Sequence, residues 1–160
     1  MYKNIAVVGL GNILMKDEGV GVWIVRELAK RNLPQNIDII DGGTASFDIF
    51  SSIGALRKLI IIDALQGGEK PGTVYRLYPE DLCAPSNSYI SLHHMHVMDT
   101  LNSAKIIGCI PQETVIIGVE PKEIDWGLGV TEDIKRKIPE IIEIVVEEVE
   151  NDRYRKETDN

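Results

Sequence analysis

The stretch NIAVVGLGNILMKDEGVGVWIVRELAKR (residues 4–31) decides the fold. Its first seven residues, Asn4 to Leu10, are apolar on both alternating faces, the pattern of a strand buried inside a sheet. From Val20 to Arg31 the pattern changes: Val20, Trp23, Ile24 and Leu28 recur at helical spacing. A buried strand, a glycine-containing turn and an amphipathic helix open a βαβ unit, whose crossover is right-handed. The alternation continues, with buried strands predicted at Ile37–Asp41, Leu59–Ala64 and Thr114–Val119 and a short helix around Phe47, Phe50, Ser51 and Gly54. Gly67, Gly68, Pro71 and Gly72 make a turn, and the alternating Thr73–Leu77 that follows predicts an antiparallel edge strand. Pro85–Ser91 reads as a loop, and His93 to about Ile107 as a helix with Val97, Leu101 and Ala104 on one stripe. Thr131 is placed as the N-cap of a last helix that carries Ile134, Ile138, Ile141, Ile142, Val145 and Val149. Pro139 inside it removes one backbone donor and predicts a kink. The expected product is an α/β fold with a mainly parallel central sheet, helices on both faces and one antiparallel edge strand. It occupies residues 1–150 as a single domain, with residues 151–160 expected to be frayed.

Composition excludes several functions. The 160 residues hold 17 Lys and Arg against 25 Asp and Glu, a formal charge of −8. An acidic chain lacks the basic footprint that nucleic acid or an anionic membrane requires. The excess is local: residues 1–80 are balanced, with 9 basic and 9 acidic groups, whereas residues 81–160 carry 8 and 16. Two cysteines, Cys83 and Cys109, make no disulfide framework, and the apolar run Ile5–Val8 is too short for a signal or spanning segment. A cytoplasmic protein is therefore expected, and a monomer is taken as the expectation for its oligomeric state.

In an open parallel sheet, ligands collect where strands end at their carboxyl termini. The first strand is followed by Gly9-Leu10-Gly11-Asn12 and then Asp17-Glu18-Gly19, the second by Asp41-Gly42-Gly43-Thr44, and the third by Asp63. His93, His94 and His96 close the one long loop, and Glu120 follows the last strand. Taken singly, Asp17 or Glu18 reads as a helix-dipole partner, Asp41 or Asp63 as a strand-end acceptor, and one of the histidines as a packing residue. Together, acids after three strands and a histidine cluster exceed what capping requires. One imidazole with two carboxylates is a site for a hard-to-borderline divalent ion with open positions. Trp126 lies on the same rim; its expected role is to cover the apolar face of the last helix, with substrate contact as the alternative. A dinucleotide site is a weaker reading, because Leu14 stands where the third glycine belongs and Asp17-Glu18 would face a pyrophosphate. A non-enzymatic nickel carrier or docking module is a further alternative.

These segments, with Ser91-Leu92-His93, Gly118-Val119-Glu120-Pro121 and Gly129-Val130-Thr131, resemble the [NiFe]-hydrogenase maturation endopeptidases over roughly Lys3 to Val149. The resemblance implies a three-layer α/β/α fold. It also implies removal of a C-terminal extension from the precursor of a hydrogenase large subunit after nickel insertion. By position, Glu18, Asp63 and His93 match the family's metal-contacting and catalytic residues, and Asp41, Gly42, Gly43 and Thr44 match its substrate-recognition loop. His93 matches, rather than His94 or His96, because it stands two residues after Ser91; the family usually has proline where this chain has Leu92. Nickel is expected mainly as the ion already held by the substrate's thiolates, with weak binding to the free protease.

Overall fold

A computed structural model of the chain describes residues 5–44, 55–82 and 94–158, with side chains described through 151 except those of 94–96. The elements follow in the order β1 (Ile5–Leu10), a 3-10 turn (Lys16–Gly19), α1 (Val20–Leu28), β2 (Ile37–Gly43), β3 (Lys58–Ala64) and β4 (Val74–Leu77). Then come α2 (Pro79–Leu82), α3 (His94–Ile107), β5 (Glu113–Val119) and α4 (Glu132–Thr158). The sheet order is β2-β1-β3-β5-β4, with every pairing parallel except β4 against β5. The antiparallel edge strand lies where the sequence places it.

The double-sided apolar pattern of β1, β3 and β5 is explained by two cores, one on each face. On one face Val7, Ile60, Ile62 and Ile117 pack against Ile24 and Leu28 of α1 and Ile134, Ile141 and Val145 of α4. On the other, Val8, Leu59, Ile61 and Ile116 meet Leu82 of α2 and Val97, Leu101 and Ala104 of α3. The result is three layers, α/β/α.

The glycines of the first turn serve packing. A Cβ on Gly9 would collide with the Gly21 carbonyl of α1, and one on Gly11, whose φ is +130°, with the Glu18 carbonyl. The space before Gly11 is thus filled by the chain's own 3-10 turn, which removes the open amide cradle that a pyrophosphate needs.

Three boundaries depart from expectation. The first helix stops at Leu28, three residues short of Arg31. The second strand continues through Asp41 to Gly43, because Gly11 N–H donates to the Gly43 carbonyl at 2.9 Å and holds that segment in the sheet. The last helix remains one element through Pro139 and extends to Thr158, so the backbone of residues 151–158 continues it beyond its apolar stripe. The helix predicted around Phe47–Gly54 and the loop at Pro85–Ser91 lie outside the described residues. Among the described residues, no helix is long and apolar enough to cross a membrane.

Candidate active site

The carboxyl ends of β1 and β3 are neighbours in the sheet, and the chain leaves them in opposite directions. After β1 it passes through the 3-10 turn to α1 on one face, while Leu65, just past β3, packs on the other. This divergence opens a crevice at a topological switch point. Glu18, half-buried in the 3-10 turn, and Asp63, the penultimate residue of β3, meet there.

Asp63 is 5% exposed. Its Oδ1 accepts a hydrogen bond from the Ala64 N–H at 2.8 Å, and no cation faces it among the described residues. Burial drives its carboxyl up to about 8; the Ala64 amide pulls the other way, and the neighbouring Glu18 charge raises it further. A buried acid with a like-charged neighbour in a crevice is the arrangement that active sites use to hold a proton near neutrality. The turn carrying Glu18 is also strained: Lys16, two residues before it, has φ = +49°, a left-handed conformation in a residue with a side chain.

The other rim acids do structural work. Asp17 is fully buried; its Oδ2 accepts from the N–H groups of Lys122 and Glu123 at 2.9 and 3.0 Å, and its Oδ1 from the Thr131 N–H at 2.7 Å. The Thr131 hydroxyl donates to the same carboxylate at 2.8 Å. Thr131 therefore spends its hydroxyl on Asp17, while its carbonyl accepts the first α4 bond, from Lys135 N–H at 2.9 Å. Glu120, 6% exposed, latches the turn before β4 by accepting from Gly67 N–H at 2.7 Å and the Tyr75 hydroxyl at 2.8 Å. Burial, and then that contact, push the Tyr75 phenol up to about 12.

Asp41, Gly42 and Gly43 end β2, with Thr44 in the turn beyond. The pairing of β1 with β2 shifts there: Gly9 faces Asp41, but Leu10 faces Gly43, so Gly42 is the extra residue of a bulge. Gly43 takes φ = +50°, and the Asp41 carboxylate accepts from its N–H at 3.2 Å and from Arg26 at 3.0 Å. What the sequence presents as a glycine loop is thus largely an anchored strand end.

His93 lies outside the described residues, as do the side chains of His94 and His96. Among the described residues, no group of three His, Cys, Asp or Glu is placed to hold a metal; Glu18 and Asp63 form a pair. Trp126 is corrected: it is 74% exposed and does not cover α4. Sequence reasoning missed the Asp17 clasp, whose partners lie more than a hundred residues away and leave no local signature.

A three-layer α/β protein with a buried acid beside a half-buried one at the switch point of its sheet defines a class of small α/β enzyme. The profile of the hydrogenase maturation protease family matches residues 22–148. The chain is 34% identical over 144 residues to the hydrogenase 2 maturation protease of Escherichia coli, covering 89% of this chain and 88% of that protein. Its structure superposes on that of the hydrogenase maturating endopeptidase HybD from E. coli with a TM-score of 0.79, 32% identity and 93% of both chains covered. For HybD of Thermococcus kodakarensis the TM-score is 0.75 at 27% identity, over 90% of this chain and 97% of that one. The chain belongs to the hydrogenase maturation proteases and is a peptidase.

Proposed function

We propose that this protein removes a C-terminal extension from the precursor of a [NiFe]-hydrogenase large subunit after that precursor has received its nickel. The observation that carries the reading is the buried Asp63 carboxyl beside Glu18 at the sheet's switch point, in a chain whose family consists of hydrogenase maturation proteases. In the free protein, burial favours the protonated form of Asp63 up to about pH 8. A cation brought by the substrate reverses that preference, because a positive charge beside the carboxyl favours the ionised form.

The donor chemistry suits that role. Carboxylate oxygens do not compete with cysteine thiolates for nickel, so Glu18 and Asp63 would occupy its vacant positions without stripping it. His93 is the third group assigned to this task. Nickel thereby acts as an address that marks a finished precursor. Amide hydrolysis needs a water that loses a proton and a developing oxyanion that is stabilised; a carboxylate beside the ion serves the first need and the ion's charge the second. Asp41, Gly42, Gly43 and Thr44, at the neighbouring strand end, are assigned to gripping the extension.

The test offers nickel-loaded and nickel-free precursor to the protein and reads the large subunit by mass spectrometry. Loss of a C-terminal peptide from the loaded form alone is expected. Equal cleavage of both forms defeats the nickel requirement, and cleavage of neither defeats the reading.

A further inference from the structure

Two segments, one between β5 and α4 and one just before the 3-10 turn that carries Glu18, place three large apolar side chains in water. Trp126 is 74% exposed, Leu128 72% and Leu14 52%. They form one patch, because Met15 and Gly127 make a parallel bridge: Gly127 N–H donates to the Leu14 carbonyl at 2.9 Å and Lys16 N–H to the Gly127 carbonyl at 3.0 Å. That bridge sets Leu14 alongside Trp126. Single apolar residues scattered on a surface are ordinary, but three held together on two bridged segments mark a contact site.

The clamp shows that the patch is built in advance. Asp17 N–H donates to the Glu123 carbonyl at 3.2 Å, and the Asp17 carboxylate gathers the amides of Lys122, Glu123 and Thr131. The residue that pins the apolar segment is therefore the immediate neighbour of Glu18. A patch held in place before binding loses less freedom on docking.

We infer that Leu14, Trp126 and Leu128 form the docking surface for the large-subunit precursor, which meets it with an apolar surface bordered by cations beside its metal centre. Two observations point to this occupant. The patch adjoins the acid pair: the Glu18 N–H donates to the carbonyl of Met15 at 3.2 Å, and Met15 is the residue bridged to Gly127 between Trp126 and Leu128. The segment that carries it is acidic: residues 122–133 hold Lys122 against Glu123, Asp125, Glu132 and Asp133, and Lys16 beside it is paired with Glu123 at 2.7 Å. The inference rests on the functional reading above and names the surface that would deliver its substrate.

The experiment measures kcat and KM for nickel-loaded, full-length precursor from the same genome, with the wild type and with Trp126→Ala/Leu128→Ala. Because both side chains are exposed, circular dichroism and melting temperature should match the wild type, and Trp126→Phe should restore binding. The expected result is a KM raised about tenfold or more with kcat within about twofold, the signature of lost uniform binding. Asp125→Lys/Glu132→Lys should raise KM at low salt, with the difference shrinking as salt is added. An unchanged KM in the apolar double variant, with the wild type active, overturns the docking surface alone. A wild-type dimer in sedimentation that the same variant dissolves, again with unchanged KM, assigns the patch to a second copy and overturns it too. No cleavage by the wild type overturns the functional reading itself.

Discussion

Strand β3 carries a buried ionisable group at each end, and the two ends treat it oppositely. At its amino end, Lys58 is 2% exposed, yet its ammonium sits 2.7 Å from the Glu148 carboxylate and 3.7 Å from Glu113. Arg76 completes the cluster, with Nε and Nη2 donating to Glu148 at 2.7 and 2.8 Å. Hydrogen bonds from Arg76, then Lys58, outweigh burial and hold the Glu148 carboxyl down at about 2. Five residues along the same strand, Asp63 faces no described cation and is pushed up to about 8. One end is a closed ion cluster that joins β3, β4, β5 and α4. The other leaves its acid unneutralised, at the edge where ligands enter. The difference teaches that a buried ionisable group alone does not single out a candidate site here; a buried acid without a neutralising partner, at the edge where ligands of such sheets collect, does.

The largest effect should come from breaking the open end. Glu18→Gln should lower the rate of precursor processing by about 100-fold or more, the scale for losing a positioned acid or base, while melting stays near the wild type. The next largest comes from the closed end. Glu148→Gln leaves the Lys58 ammonium buried without its nearest counter-charge, and should destabilise the fold by about 3 kcal/mol, lowering the melting temperature by roughly 10 °C. Processing below that transition should persist.

The pH dependence of stability sharpens the contrast, because the signs are opposite. Glu148 ionises more readily folded than unfolded, so its stabilisation is present above about pH 4.5 and is lost as pH falls toward 2. Asp63 holds its proton more tightly folded than unfolded, so its contribution falls as pH rises from 3.8 to about 8. Denaturant melts in chelator should therefore show Asp63→Asn gaining on the wild type through that window and levelling off above it. Parallel curves would mean that Asp63 is not held protonated. The smallest effect is at the surface: Arg26→Ala removes an exposed pair with Asp41 and should change stability by less than about 1 kcal/mol.

Most of the layer architecture was legible because it rests on local periodicity. The two-faced apolar runs became β1, β3 and β5, and the alternating Val74–Leu77 became the antiparallel edge. Glu18 and Asp63 were legible as strand-end acids, and the sheet order brings them together. What escaped detection was every interaction set by sequence separation. Asp17 clasps residues 105 to 114 positions away, and Lys58 meets Glu148 at a separation of 90, so neither has a motif. Glu120 looked like a further rim acid for the same reason, although its oxygens are committed to Gly67, Gly68 and Tyr75. Trp126 was misread because an apolar residue near an amphipathic helix is assumed to cover it. Here Gly127 bridges to Met15 and holds the indole on the other side of that choice, in solvent.

The central claim is that the unneutralised acid at the carboxyl end of β3 performs the processing step. Its most direct test is the mass of the large subunit after nickel-loaded precursor is incubated with Asp63→Asn protein, beside the wild type at equal concentration. The account predicts an unshortened precursor with the variant and a shortened subunit with the wild type, both proteins being folded. A fully shortened subunit in both reactions would contradict it.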